Sequence, residues 1–252
     1  MTRRLRRVVG SVGLVAVCTL ALLGATSVTP AHAKGDIVVA AASDLRPAFT
    51  ELAASFEKAT GSKITLSFGS SGQLAQQLKN GAPFQVFASA SAQFVDDVLS
   101  AGVGDPKTKE VYAYGRLVVF APGRRVTLGE LADPSIKRIV IANPAHAPYG
   151  KAAVEALTAA GVYAAVKDRL VLAESVGDAL RIAQSGNAEA GIVARSLAPD
   201  GMLVAESLHA PIAQTIVVTD AKSPTARRFV AYVRGPIGRA ALARAGFRVP
   251  TH

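Results

Sequence analysis

The chain has 252 residues, of which 28 are lysine or arginine and 18 are acidic, giving a formal net charge of +10. That length allows one large domain or two small ones with real cores. The only cysteine, Cys18, leaves no disulfide framework and no thiolate metal site, and no nucleic-acid motif accompanies the basic excess.

Residues 1–33 read as a secretory signal peptide. Arg3, Arg4, Arg6 and Arg7 form a basic start, residues 8–23 an apolar run, and Ala31-His32-Ala33 a small-residue cleavage site. The run is too short, and too poorly flanked on its far side, for a membrane anchor. Val17 before Cys18, and the apolar residues after it, argue against a lipid-bearing cysteine, and Arg6-Arg7 gives only a weak twin-arginine export signal. Cleavage after Ala33 removes four arginines and leaves 24 basic against 18 acidic residues. Much of that excess (Arg227, Arg228, Arg234, Arg239, Arg244, Arg248) falls near the C-terminus and reads as a solvated helix face.

Beyond the leader, short apolar runs alternate with helical periodicity. Residues 36–41 read as a buried strand, followed by a helix with Phe49, Leu52, Ala53 and Phe56 on one face that ends at Gly61. Then come strand 64–68, helix 72–80, strand 85–88 and helix 92–99. Further strands are expected at 117–120, 139–141, 170–172 and 191–193, with helices at 150–160 and 176–184 among them. Extended segments at 112–116 and 211–219 are long enough to cross between two lobes, and helices at 224–233 and 236–245 close the chain. Continuous rather than alternating apolar strands indicate sheets covered on both faces, hence an α/β fold with mainly parallel strands.

Four strand-to-helix corners carry small or uncharged residues. Ser43-Asp44 follows the first strand, with Pro47 placing the helix cap near Asp44. Gly69-Ser70-Ser71-Gly72 contains no charged side chain. Pro148 suits a first helical position and leaves the amide of Tyr149 free. Ser175 and Asp178 stand at capping-box spacing and leave the amide of Val176. Helix openings of this kind seat small anions. Lys151 could add positive potential, although a solvated helix residue is the plainer account, and Phe84 and Phe87 read as core.

The segments AAASDL, GSSGQLAQQLKNGAP, FASA, NPAHAPYGKAA, ESVGDAL and GIVARS, with RGPIGRAALARAGF at the end, resemble in order the periplasmic molybdate/tungstate-binding proteins of ABC importers. The resemblance implies a two-lobed type II periplasmic-binding fold with a ligand cleft between the lobes. Lobe 1 would take residues 34–113 and 215–252, and lobe 2 residues 114–214. It implies a non-enzymatic, monomeric, extracytoplasmic receptor, periplasmic or at the cell surface, that delivers molybdate or tungstate to a membrane permease and its ATPase, without a cofactor. By the family pattern Ser43 and Ser71 give hydroxyl and amide, and Asp44, Tyr149 and Val176 give amides. Molybdenum would be present only as the oxyanion, so every contact is to oxygen.

Two departures stand out. Ala194 occupies a position where many relatives have a ligand-contacting tyrosine, and Tyr149 stands where they often have a small residue. Asp44 is the one charged side chain. Capping preference turns its carboxylate onto its own helix; facing the ligand, it would instead suit hydrogen phosphate. Sulfate and phosphate receptors therefore remain rivals. A secreted serine hydrolase is a third reading, with His146 the sole plausible base for Ser71, but G-x-S-x-G is absent. No His or carboxylate cluster at metal-ligand spacing occurs, and Asp96-Asp97 reads as an exposed helix face.

Overall fold

The structure, a computed structural model, describes residues 35–250. The leader, with Cys18 and the cleavage site, lies outside the described residues. No described helix is long and apolar enough to cross a membrane.

β1 (Ile37–Ala42) runs through a 3-10 turn at Ser43–Leu45 into α1 (Arg46–Thr60). Gly61 ends that helix at φ 73°, a left-handed conformation that glycine adopts without strain. β2 (Ile64–Gly69), α2 (Ser71–Lys79), β3 (Val86–Ser89) and α3 (Ala92–Ser100) follow. β4 (Glu110–Gly115) and β5 (Leu117–Phe120) are separated by Arg116 alone. Next come β6 (Ile139–Ala142), α4 (Pro148–Ala159), the short α5 (Tyr163–Val166), β7 (Leu170–Ala173), α6 (Val176–Gln184), β8 (Ala190–Ala194) and β9 (Met202–Leu203). β10 (Ile212–Val218), α7 (Pro224–Arg234) and α8 (Pro236–Arg244) complete the described fold.

The strands form two five-stranded sheets, ordered β2-β1-β3-β10-β4 and β7-β6-β8-β5-β9. The α/β architecture expected from the apolar runs is present, with both sheets mixed. β1 pairs in parallel with β2 and β3, and β6 with β7 and β8. β10 is antiparallel to β3 and β4, and β5 to β8 and β9. The antiparallel pairings belong to strands at the two passages between sheets, where the chain reverses and no crossover helix is available. What the sequence shows as one extended segment is thus two strands in different sheets, broken at Arg116.

Burial follows the helical and strand periodicities. Phe49 and Phe56 of α1 meet Phe229 of α7 edge-on, with ring centroids 6.1 and 5.4 Å apart, which docks the last helices against the first. Leu74, Leu78, Phe87, Val95 and Val98 form a second cluster under α2 and α3, with Phe84 packed against it. The C-terminal tail returns to β4, where Arg248 and Tyr114 exchange backbone hydrogen bonds of 2.9 and 2.8 Å. The C-terminal arginines are more engaged than a plain solvated face. Arg227 pairs with Asp105, Arg234 with Glu110, Arg244 with Glu51 and Arg248 with Glu206.

Candidate oxyanion-binding site

All five residues singled out in the sequence come together. Ser43, Asp44, Ser71, Tyr149 and Val176 line one small pocket with Ala42, Gly69, Ser70, Ala90, Ala147 and Pro148. Its cavity volume is about 10 Å³, far below the range for drug-sized ligands. No lysine, arginine or histidine lines it. Ser43, Ser71, Tyr149 and Val176 are 4, 1, 2 and 4 % exposed, so a ligand seated among them would be largely out of water.

Each lining residue owes its place to a strand end. α2 and α6 open on Ser71 and Val176, and Tyr149 is the second residue of α4. Amides in the first helical turn have no intrahelical acceptor, so these three N–H groups are available to a ligand. Pro148 takes the first position of α4, where its missing N–H loses nothing. Ser175 caps α6 as its spacing predicts, accepting from the Asp178 amide at 3.2 Å.

The two serine hydroxyls are held in a defined polarity. Ser43 Oγ accepts from the Gly177 amide at 3.1 Å, bridging the two sheets' helix openings, and Ser71 Oγ accepts from the Ala90 amide at 2.9 Å. A hydroxyl has one hydrogen to give. With a lone pair already occupied by an amide, each is disposed to donate that hydrogen into the pocket.

Ser70 behaves differently from a serine cap. It stands at the N-cap of α2, but its side chain makes no capping bond; its Oγ lies 2.8 Å from Nδ1 of His146. The His146 carbonyl also accepts from the Gly72 amide at 2.9 Å. A Cβ on Gly72 would sit 2.7 Å from that carbonyl, so the close approach requires glycine. Glu174 completes the contact, 3.8 Å from His146 Nε2 and hydrogen-bonded by Gln73. His146 thus pairs with Ser70 rather than Ser71. The local sequence gave no sign of this clasp.

Asp44 corrects the expectation of a cap. It lies inside the 3-10 turn, its side chain makes no capping bond, and α1 starts after Leu45. The 3-10 turn moves the cap position one residue on, so the carboxyl points into the interior. It is 0 % exposed, and its Oδ2 accepts from Gln214 Nε2 at 2.8 Å. Burial pushes its pKa up to about 7, against the lowering effects of Tyr149, its own amide and Gln214. The Tyr149 hydroxyl is close enough to affect Asp44, yet neither it nor Asp44 Oδ1 has a partner at ordinary hydrogen-bond geometry. Gln214, on β10, is the neighbour that sequence reasoning missed.

The remaining expectations fall away from the pocket. Lys151 is exposed and faces Glu155 at 4.0 Å. Ala194 is buried in β8. Among the described residues no cluster of His, Cys, Asp or Glu suits a metal ion.

The sequence profile of the bacterial extracellular solute-binding proteins matches residues 37–248. The molybdate-binding protein ModA of Rhodobacter capsulatus is 34 % identical over 236 residues, covering 90 % of each chain. ModA of Azotobacter vinelandii is 36 % identical over 227 residues, 85 % of this chain and 90 % of that protein. The solved structure of the Azotobacter vinelandii periplasmic molybdate-binding protein superposes with a TM-score of 0.80 at 32 % identity, covering 85 % of this chain and all of that one. A sulfate-binding protein from Mycobacterium tuberculosis, at 16 % identity and a TM-score of 0.66, shares the fold. The chain therefore belongs to the bacterial extracellular solute-binding protein family, alongside the molybdate-binding proteins it matches over nearly their whole length.

Proposed function

We propose that this protein is the extracytoplasmic receptor of an ABC importer that captures molybdate or tungstate and hands it to a membrane permease with its ATPase. The observation that carries the reading is the polarity of the pocket. Ser43 and Ser71 hydroxyls already accept amide hydrogens, and first-turn amides of Ser71, Tyr149 and Val176 open on the same small space. Molybdate is a fully deprotonated dianion with acceptors only. A donor-only pocket complements it, and helix openings can hold it without a salt bridge.

The contacts run to the anion's oxygens, from Ser43, Asp44 and Ser71 on one side and Tyr149 and Val176 on the other. Two lobes, residues 34–113 with 215–252 and residues 114–214, would close on the ligand, the protein acting as a monomer and without catalysis. The signal peptide supports export to the periplasm or cell surface. Hydrogen phosphate is disfavoured because the one carboxyl at the site is fully buried and turned toward Gln214 on β10. The hydrolase reading of Ser71 is disfavoured because its candidate base, His146, lies on Ser70 instead, and the Ser71 oxygen is engaged by the Ala90 amide.

Isothermal titration of the mature protein against molybdate, tungstate, sulfate and phosphate tests this. Tight, near-equal binding of molybdate and tungstate with far weaker sulfate is expected. Sulfate binding as tight as molybdate would overturn the specificity.

A further inference from the structure

Behind the pocket, polar side chains from four different elements lie near one another, each with an oxygen left unpaired. Asp44 Oδ1, Tyr112 Oη, Tyr149 Oη and Gln214 Oε1 are all buried and lack hydrogen-bond partners. Asp44 comes from the turn after β1, Tyr112 from β4, Tyr149 from α4 and Gln214 from β10. Within the cluster Gln214 Nε2 donates to the other Asp44 oxygen, Oδ2, at 2.8 Å, and the Tyr149 hydroxyl lies close enough to act on the same carboxyl.

The backbone is shaped to bring them together. Along the β10–β4 ladder Gln214 pairs with Ala113 and Thr215 with Val111, so Tyr112 is the extra residue of a bulge. Bulges re-aim side chains and recur beside functional sites. Gly115 leaves room for the Tyr149 hydroxyl, which would lie 2.1 Å from a Cβ there, with Gln214 Nε2 3.1 Å from the same point.

The cluster contains no cation. Tyr149 and Tyr112 are the titratable groups that face Asp44. Burial first, and Asp44 second, hold both hydroxyls well above their ordinary value, so they stay neutral. β10 presents uncharged Gln214, α6 presents the Gly177 amide to neighbouring Ser43, and Ser196 donates to the Asp44 carbonyl. A carboxylate in such a place has no counter-charge to offset its desolvation. The Tyr149 hydroxyl favours the ionised form, but burial outweighs it, and the neutral acid has a hydrogen of its own to offer that tyrosine oxygen. A dianion held by the amide of the same residue favours the neutral acid further.

We propose that Asp44 makes oxyanion capture proton-linked: a solvent proton resides on its carboxyl while the anion is seated, and ionisation of Asp44 weakens the seat and returns that proton to solvent. This rests on the oxyanion reading above. Asp44 acts as a positioning residue through its carboxyl, apart from its amide in the pocket. The raised pKa places the linkage near neutrality, where the free protein is partly ionised and the loaded one less so.

Titration calorimetry with molybdate, in two buffers of different ionisation enthalpy between about pH 6 and pH 9, reads the linkage. Wild type should take up as much as one proton per anion, with Kd rising by up to about tenfold per pH unit above neutrality. Asp44→Asn should abolish the uptake, flatten the profile and bind more tightly than wild type at the alkaline end. A wild type that binds molybdate with no proton uptake and a flat profile overturns the linkage and leaves the oxyanion reading standing. Equal uptake in Asp44→Asn overturns the assignment to Asp44. If neither protein binds molybdate, tungstate, sulfate or phosphate, the oxyanion reading fails and the linkage with it. Should the variant not fold, the carboxyl carbon resonance of Asp44 in labelled wild type decides. Its midpoint should move upward on adding molybdate, and an unmoved midpoint overturns the proposal.

Discussion

Ser70 Oγ lies 2.8 Å from Nδ1 of His146, tying the opening of α2 to the loop after β6 beside the pocket. The two residues stand 76 positions apart in the chain and belong to different sheets' connections. Together with the Gly72 amide on the His146 carbonyl, this contact holds the pocket walls together. His146→Ala removes the side-chain half and keeps the backbone half. A hydrogen bond contributes about 1 kcal/mol net, which corresponds to molybdate dissociating several-fold faster. Stopped-flow displacement should show that increase with the association rate little changed, and an unaltered dissociation rate would deny the clasp any part in retention.

Ser71→Ala carries two consequences. The pocket loses one hydroxyl donor, and the Ala90 amide loses its buried acceptor. An unsatisfied buried donor costs about 1–3 kcal/mol, so thermal unfolding should shift downward while the protein still folds. Calorimetry should show molybdate binding weakened by about tenfold or more. Unchanged affinity would remove Ser71 from the site.

Asp44 also sets a pH dependence of stability. Its pKa is raised from 3.8 to about 7 on folding, so the folded state holds a proton that the unfolded state has already lost. The contribution is fully present below pH 3.8 and is lost progressively as pH rises to about 7. Its size is on the order of 4 kcal/mol. Glu130, Asp133 and Glu189 have lowered pKa values and act in the opposite sense, losing their contribution as pH falls. Urea unfolding of Asp44→Asn against wild type isolates the one group. The variant should gain stability relative to wild type as pH rises from 4 to 8, levelling off above neutrality. A constant difference would exclude Asp44 as the cause.

Ser43→Ala separates donor loss from coupling between the two sheets' helix openings. It deletes a pocket hydroxyl and the acceptor of the Gly177 amide at once. Molybdate affinity should fall at least as far as in Ser71→Ala, measured under identical conditions. A smaller loss would show that the Gly177 contact plays no part in closing the pocket.

The elements were legible because local pattern encodes them. Helix 176–184 and strand 117–120 are found as the periodicity predicts, and Pro148 opens α4. The pocket residues were legible because strand ends followed by Ser, Gly and Pro have few local conformations. Side-chain direction at those corners was not. Whether Asp44 caps α1 or reaches Gln214 depends on a contact 170 residues away and on a 3-10 turn that shifts the cap by one. Ser70 likewise has two acceptable partners, its own helix and His146, and only the packed arrangement chooses. Arg116 reads as a continuation of strand although the chain changes sheets there.

Gly115 gives the passage between sheets a property of its own. Its bare Cα is the notch that receives the Tyr149 hydroxyl, and even one methyl group would occupy the same space. Gly115→Ala would therefore drive the Tyr149 ring from its place and disturb the residue whose backbone lines the pocket, while each sheet keeps its own strands. Calorimetry should find its molybdate binding weakened although residue 115 itself offers the anion nothing, which makes the absence of a side chain there a part of the seat.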